Sequence, residues 1–194
     1  MGELGEFIRG NGIQKDNLRE MGVGAIHYGQ IHTHYGTAAT ETISFVDEEL
    51  ARRSRRANPG DLVIATTSED DEAVGKAVAW IGDDKIAVSG DAFIFRHALA
   101  PKYVSYFFQT NEFQLHKKRH ITGTKVRRIS GESLAKIAIP VPSRQEQDRI
   151  VDILDKFDSL VNDLSVGLPA ELNARRKQYE YYRDRLLTFE EAPA

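Results

Sequence analysis

IPVPSRQEQDRIVDILDKF, residues 139–157, divides this chain into two unlike parts. Pro140 and Pro142 end whatever precedes them, because proline fixes φ and disfavours helix in the residue before it. Ser143 followed by Glu146 is a capping box, which satisfies orphan amide donors at a helix start. Ile150, Ile153, Phe157, Leu160 and Leu164 then recur at spacings of 3, 4, 3 and 4, the pattern of a coiled-coil seam rather than a broad globular face. Gly167-Leu168-Pro169 interrupts the seam, and Leu172, Tyr179, Tyr182, Leu186 and Phe189 resume it. The expectation is a helical dimerisation and spacer region over residues 143–194, broken near 167–169, whose seam needs a partner helix. Glycine at a helix end and proline at the next first position permit a kink or a reversal; a kink is favoured.

Residues 1–142 form the other part, long enough to bury a core of their own. Ala25–Tyr28, Thr42–Val46, Leu62–Thr66, Val74–Trp80, Ile86–Val88, Ala92–Arg96 and Lys136–Ile139 read as strands, with Asn58–Asp61 as a turn. Asp47–Arg56 reads as a short helix capped by Asp47, Pro101 opens a second and Asn111 caps a third. The fold class is therefore α+β: a mixed α/β domain followed by a long helical coiled-coil arm.

Composition narrows the function. The chain has no cysteine, which removes disulfides, thiolate metal sites and a cysteine nucleophile. Its start lacks the basic and apolar regions of a signal peptide, and no apolar run approaches the ~20 residues needed to span a bilayer. The expectation is a soluble cytoplasmic protein without membrane partners. The net charge of −3 hides an uneven distribution: residues 143–194 carry 8 Lys+Arg against 11 Asp+Glu, and residues 1–142 carry 18 of each. Lys117, Lys118, Arg119, Lys125, Arg127 and Arg128 form an acid-free basic stretch, Arg52, Arg53, Arg55 and Arg56 a second, and Glu69–Glu72 the counterweight. For a phosphate backbone the local patch matters more than the total.

Few residues suggest catalysis. His116 and His120 have ligand spacing but flank three cations and lack a third ligand, so no metal is expected. Glu69–Glu72 superficially suggests a metal nuclease, yet such sites need carboxylates converging from adjacent strands. Gly75-Lys76 lacks the earlier glycine of a phosphate loop. The nucleic-acid constellation is stronger. Lys117, Arg119, Thr122, Thr124, Lys125 and Arg127 combine cations with hydroxyls suited to phosphate contacts. Tyr28–Gly36 reads as a polar loop, in which Gln30 can pair bidentately with adenine and Tyr28, His32, His34 and Tyr35 can reach base edges. Thr67 and Ser68 complete the candidate DNA-contacting set.

Several segments together resemble the specificity subunit of Type I restriction–modification systems: GVGAIHYGQIHTHYG (22–36), NPGDLVIA (58–65), TSEDDEAVGKAV (67–78), SGDAFIFR (89–96), YVSYFFQT (103–110), GTKVRRISGES (123–133), IPVPSRQEQDRIVDILDKF (139–157) and RRKQYEYYRDRLLTF (175–189). The resemblance implies a non-catalytic subunit that reads double-stranded DNA through a target recognition domain, here residues 1–142. It docks methyltransferase subunits and, in the full system, restriction subunits. S-adenosylmethionine belongs to the methyltransferase, and no cofactor is expected in this chain. The family plan alternates two recognition domains with two helical regions; this chain has one of each, a half-subunit. Two copies packing their arms antiparallel would restore the plan as a homodimer under two-fold symmetry. Collinear helices would make an arm of ~65 Å, near two ~34 Å turns of B-DNA, and a hairpin would halve it. A stand-alone DNA- or protein-binding adapter and a metal nuclease using Glu69–Glu72 are the alternative readings.

Overall fold

The computed structural model describes residues 1–163 and 169–188. The first half runs β1 (Gly5–Arg9), β2 (Val23–Ile26), α1 (Tyr28–Thr33), β3 (Ala38–Ala39), β4 (Ser44–Val46), α2 (Glu48–Arg53), β5 (Arg56–Ala57), β6 (Leu62–Ala65), β7 (Thr67–Ser68) and β8 (Ala77–Trp80). The second continues with β9 (Ile86–Val88), β10 (Ala92–His97), α3 (Pro101–Phe107), α4 (Asn111–Lys118), β11 (Arg127–Arg128), α5 (Gly131–Ala135), α6 (Arg144–Asp163) and α7 (Pro169–Leu187).

Two mixed sheets stack. One has the order β1-β10-β6-β8-β3 and the other β4-β2-β9-β5. Strand β6, Leu-Val-Ile-Ala, is an unbroken apolar run because both its faces are covered. Leu62 and Ile64 point to a cluster shared with α3, α4 and α6. Val63 and Ala65 point to the layer between the sheets, beside Ile26, Ile31, Trp80 and Val88. A third, two-stranded ladder pairs β7 with β11.

The structure revises three local expectations. Tyr28–Gly36 is a loop only from His34 on: Tyr28 opens helix α1, Gln30 Oε1 accepts the His27 amide at 2.9 Å, and Ile31 is fully buried. No strand forms over Lys136–Ile139; Ile137 and Ile139 bury without a ladder, in a turn after α5. Thr110, not Asn111, caps α4, its hydroxyl accepting the Phe113 amide at 3.2 Å.

The arm departs most from expectation. Helix α6 starts at the Ser143 cap, whose hydroxyl accepts the Glu146 amide at 3.3 Å, and it then packs on the body instead of leaving it. Asp155 accepts from Lys102 Nζ and Tyr106 Oη of α3, each at 2.7 Å, and Gln147 Oε1 accepts the Ala100 amide at 2.8 Å. Ile150 and Leu154 are buried in the body's core. Helix α7 folds back along α6: the Phe157 and Tyr182 rings stack at 5.6 Å. Collinear helices would hold those two residues ~37 Å apart at ~1.5 Å per residue, so the favoured kink is corrected to a reversal. Asn111 Nδ2 reaches Asp184 at 2.5 Å, tying α7 to α4 as well. The buried stripe of α7 is Tyr179, Arg183 and Leu187, with Leu186 half-buried beside it. Burial pushes the Tyr179 hydroxyl up to about 12. Of the expected arm, Leu164, Gly167-Leu168, the Leu172 side chain and Phe189 lie outside the described residues.

Candidate nucleic-acid interface

Three separate stretches of sequence meet at one end of the stacked sheets. The first is α1. His27 precedes it and accepts the Gly29 amide on Nδ1 at 3.3 Å, and the Tyr28 amide donates to Ser89 Oγ at 2.9 Å. The Tyr28 and His32 rings meet edge to face at 6.3 Å. The second is β7: Thr67 O lies 2.9 Å from His32 Nε2. A carbonyl only accepts, so Nε2 carries the hydrogen. Lys76, beneath α1, donates to the His32 carbonyl at 3.3 Å, and burial lowers its pKa.

The third stretch is the hairpin over residues 122–128. Thr122 and Arg128 exchange both backbone hydrogen bonds, at 2.9 and 2.8 Å. Gly123 turns the chain at φ +90°, where a side chain would also collide with the Val126 carbonyl. Ser68 stands opposite Arg127, and Thr67 opposite Arg128. Thr122, Thr124, Lys125 and Arg128 are exposed along this hairpin, and Arg119 is exposed at the exit of α4. The result is a cationic finger, with Asp71 against Arg127 at its base, beside an aromatic and hydroxyl-bearing helix.

Several expected contact residues have other work. Gln30 is spent on the His27 amide and on Ser44 Oγ, both at 2.9 Å. Tyr35 is buried, its hydroxyl accepting the Ile43 amide at 3.0 Å. His34 is exposed, but it lines a different groove, with Thr40, Ile43 and Lys102. Lys117 is fully buried: Nζ donates to the Glu72 carbonyl at 2.9 Å, and desolvation, opposed by Asp70 and Asp71, pushes its pKa down to about 8. Arg127 pairs with Asp71 at 2.8 Å and donates to the Gly123 carbonyl at 2.6 Å. Four of these five corrections share a cause, and His34 is the exception. A side chain that closes a cap, a turn or a core contact cannot also face a ligand, and spacing alone does not show which of these a residue does. Tyr28, Ser68, Thr122, Thr124, Lys125 and Arg119 keep accessible side chains, and Arg128 joins them. The acidic run does not converge: Asp70 caps its own turn through the Ala73 amide at 2.6 Å, while Asp71 turns to Arg127.

The family model for the Type I restriction modification DNA specificity domain matches residues 1–174. The chain belongs to that family. This specificity domain is 31% identical to the EcoR124I/EcoR124II specificity subunit of Escherichia coli, over 97% of its own length and 47% of the relative's. A specificity subunit of Haemophilus influenzae is 27% identical over 79% of the chain and 40% of the relative. The chain thus spans about half the length of the curated relatives it matches. Its fold is similar to that of the HsdS subunit from Thermoanaerobacter tengcongensis, with a TM-score of 0.60 and 17% identity, over 96% of this chain and 43% of that one. Among the described residues no helix is long and apolar enough to cross a membrane.

Proposed function

We propose that this chain is the non-catalytic DNA-reading component of a Type I restriction–modification assembly. It acts as a homodimer in the cytoplasm, placing methyltransferase subunits, and in the full system restriction subunits, on a bipartite DNA site. The observation that carries the reading is the convergence of Tyr28, Ser68 and the 122–128 hairpin at one end of a domain of this family. Hydroxyls and cations there suit phosphate contacts, and Tyr28 keeps an accessible ring and hydroxyl beside them. The chemistry of modification, with S-adenosylmethionine, belongs to the methyltransferase partner.

Residues 1–142 serve as the recognition domain and residues 143–194 as the spacer and dimerisation region. Support for the dimer comes from apolar side chains on α6 and α7 that the fold leaves wholly or partly exposed. Ile153 is half-buried, and Leu160, Tyr181 and Tyr182 are 51%, 57% and 39% exposed. Two copies placed antiparallel bury these side chains and restore two recognition domains under two-fold symmetry. Because α7 folds back, the spacer is about 30 Å long, the length of α6. That sets the half-sites near one turn of B-DNA apart rather than two.

Sedimentation and duplex titration across salt test the reading together. A dimer whose DNA affinity falls steeply with salt is expected. A monomer at micromolar concentration would contradict the dimer, and salt-independent or absent DNA binding would contradict the function.

A further inference from the structure

A groove of about 570 Å³ opens beside the start of α1. Its walls come from the segment after β1, from Ser89-Gly90-Asp91 and from His27-Tyr28. The first wall is held tightly to the sheet end. The Gly10 amide donates to Ala92 O at 2.9 Å and the Asn11 amide to Val88 O at 3.1 Å, and a side chain at Gly10 would collide with the Val88 and Ser89 carbonyls. Asn11 also draws in the second basic run: its Oδ1 accepts the Arg55 amide at 2.5 Å and its Nδ2 donates to Arg53 O at 3.1 Å.

Arg9, Lys15 and His27 line the groove, and Arg55, whose amide Asn11 Oδ1 holds, stands beside it. Arg9, Lys15 and Arg55 are exposed. His27 Nδ1 accepts the Gly29 amide, so in the neutral ring the hydrogen sits on Nε2, as a donor. The acids nearby are Asp91, loosely paired with Arg9 at 3.8 Å, and Asp16 beside Lys15. Among the described residues Lys15 and Arg55 make no ion pair. Arg52 and Arg53, in the same basic run, are instead matched to Glu48 and Glu49 at 2.7 and 3.4 Å.

We propose that this groove seats a backbone phosphate of the DNA duplex, with Arg9, Lys15 and Arg55 as a second phosphate anchor. The proposal rests on the DNA-reading function proposed above. Phosphate contacts fix register while base contacts specify, and a reading helix with a phosphate anchor at its start as well as at the hairpin is held against rocking.

The test uses the full chain and a panel of random-sequence duplexes. Lys15→Gln/Arg55→Gln is compared with Lys85→Gln/Lys136→Gln, which removes two exposed cations elsewhere. Thermal melting checks that both variants fold. The anchor variant is expected to raise Kd about tenfold on every duplex and to flatten the salt slope by about 2, leaving the order of preference among duplexes unchanged. The control should match the unaltered chain. Salt-sensitive binding by the unaltered chain that persists with the same slope in the anchor variant would overturn the anchor alone. A loss confined to particular sequences would also overturn it, by making the groove a base reader. Absence of DNA binding by the unaltered chain would remove the function beneath it.

Discussion

Lys117→Ala separates a lysine that holds the fold from one that holds DNA. The Lys117 side chain is fully buried, with its ammonium on the Glu72 carbonyl at 2.9 Å. Truncation removes three buried methylenes, worth ~2.4 kcal/mol, and a charged hydrogen bond worth roughly 1.5–3 kcal/mol. It also removes the cost of burying the charge. A pKa held at about 8 against an ordinary 10.5 corresponds to ~3 kcal/mol at pH 7. The net loss at pH 7 is about 1–2 kcal/mol. The folded state binds this proton more weakly than the unfolded one. The penalty is therefore complete below about pH 8, where both states are charged, and fades as pH rises towards 10.5. The unaltered chain regains about 2 kcal/mol between pH 7 and 10 that the variant cannot, so the deficit widens to about 3–4 kcal/mol. Urea unfolding of both proteins at the two pH values measures this, with duplex binding in parallel. Unchanged stability at both pH values with a flattened salt slope would refute the interior placement and return Lys117 to the DNA face.

Other expectations are shorter. Lys125→Ala and Arg128→Ala should each flatten the salt slope of duplex binding by about 1, uniformly across sequences and without moving Tm. Gly123→Ala should deform the hairpin at its φ of +90°, weakening DNA binding at a cost to stability of about 1 kcal/mol, read by titration and melting. Asp155→Ala leaves Lys102 and the Tyr106 hydroxyl without their acceptor. It should cost about 1–3 kcal/mol in urea and loosen α6 from α3, seen as faster amide exchange along α6.

The sequence made plain those features whose local chemistry had one outcome. Leu62–Ala65 is apolar throughout and is the doubly covered β6. Asp47 caps α2 through the Leu50 amide at 2.8 Å, and Pro101 opens α3. Helix α1 was hidden because histidine and glutamine close its first turn, in place of the serine, threonine or aspartate that marks most helix starts. Strand β1 was hidden because its glycine, glutamate and arginine break the apolar alternation, and pairing with β10 supplies what propensity does not. In the arm, the spacing of Ile150, Ile153, Phe157 and Leu160 gives helix but not the facing surface. The face covered by α3 and α7 runs through Gln147, Ile150 and Leu154, leaving Leu160 exposed. At the interface, the basic run 117–128 was visible as charge. Only the fold separates Lys117, buried beneath the acidic turn, from Lys125, exposed at the hairpin tip.

Reconstitution with a Type I methyltransferase subunit, followed by mapping of methylated adenines, tests the dimeric DNA-reading role most directly. The expected result is methylation that depends on this chain, at an inverted-repeat target with one modified adenine per strand. The two half-sites should be centred about one helical turn, ~10 base pairs, apart. Methylation that ignores the chain, or a target with a single unrepeated half-site, would contradict it.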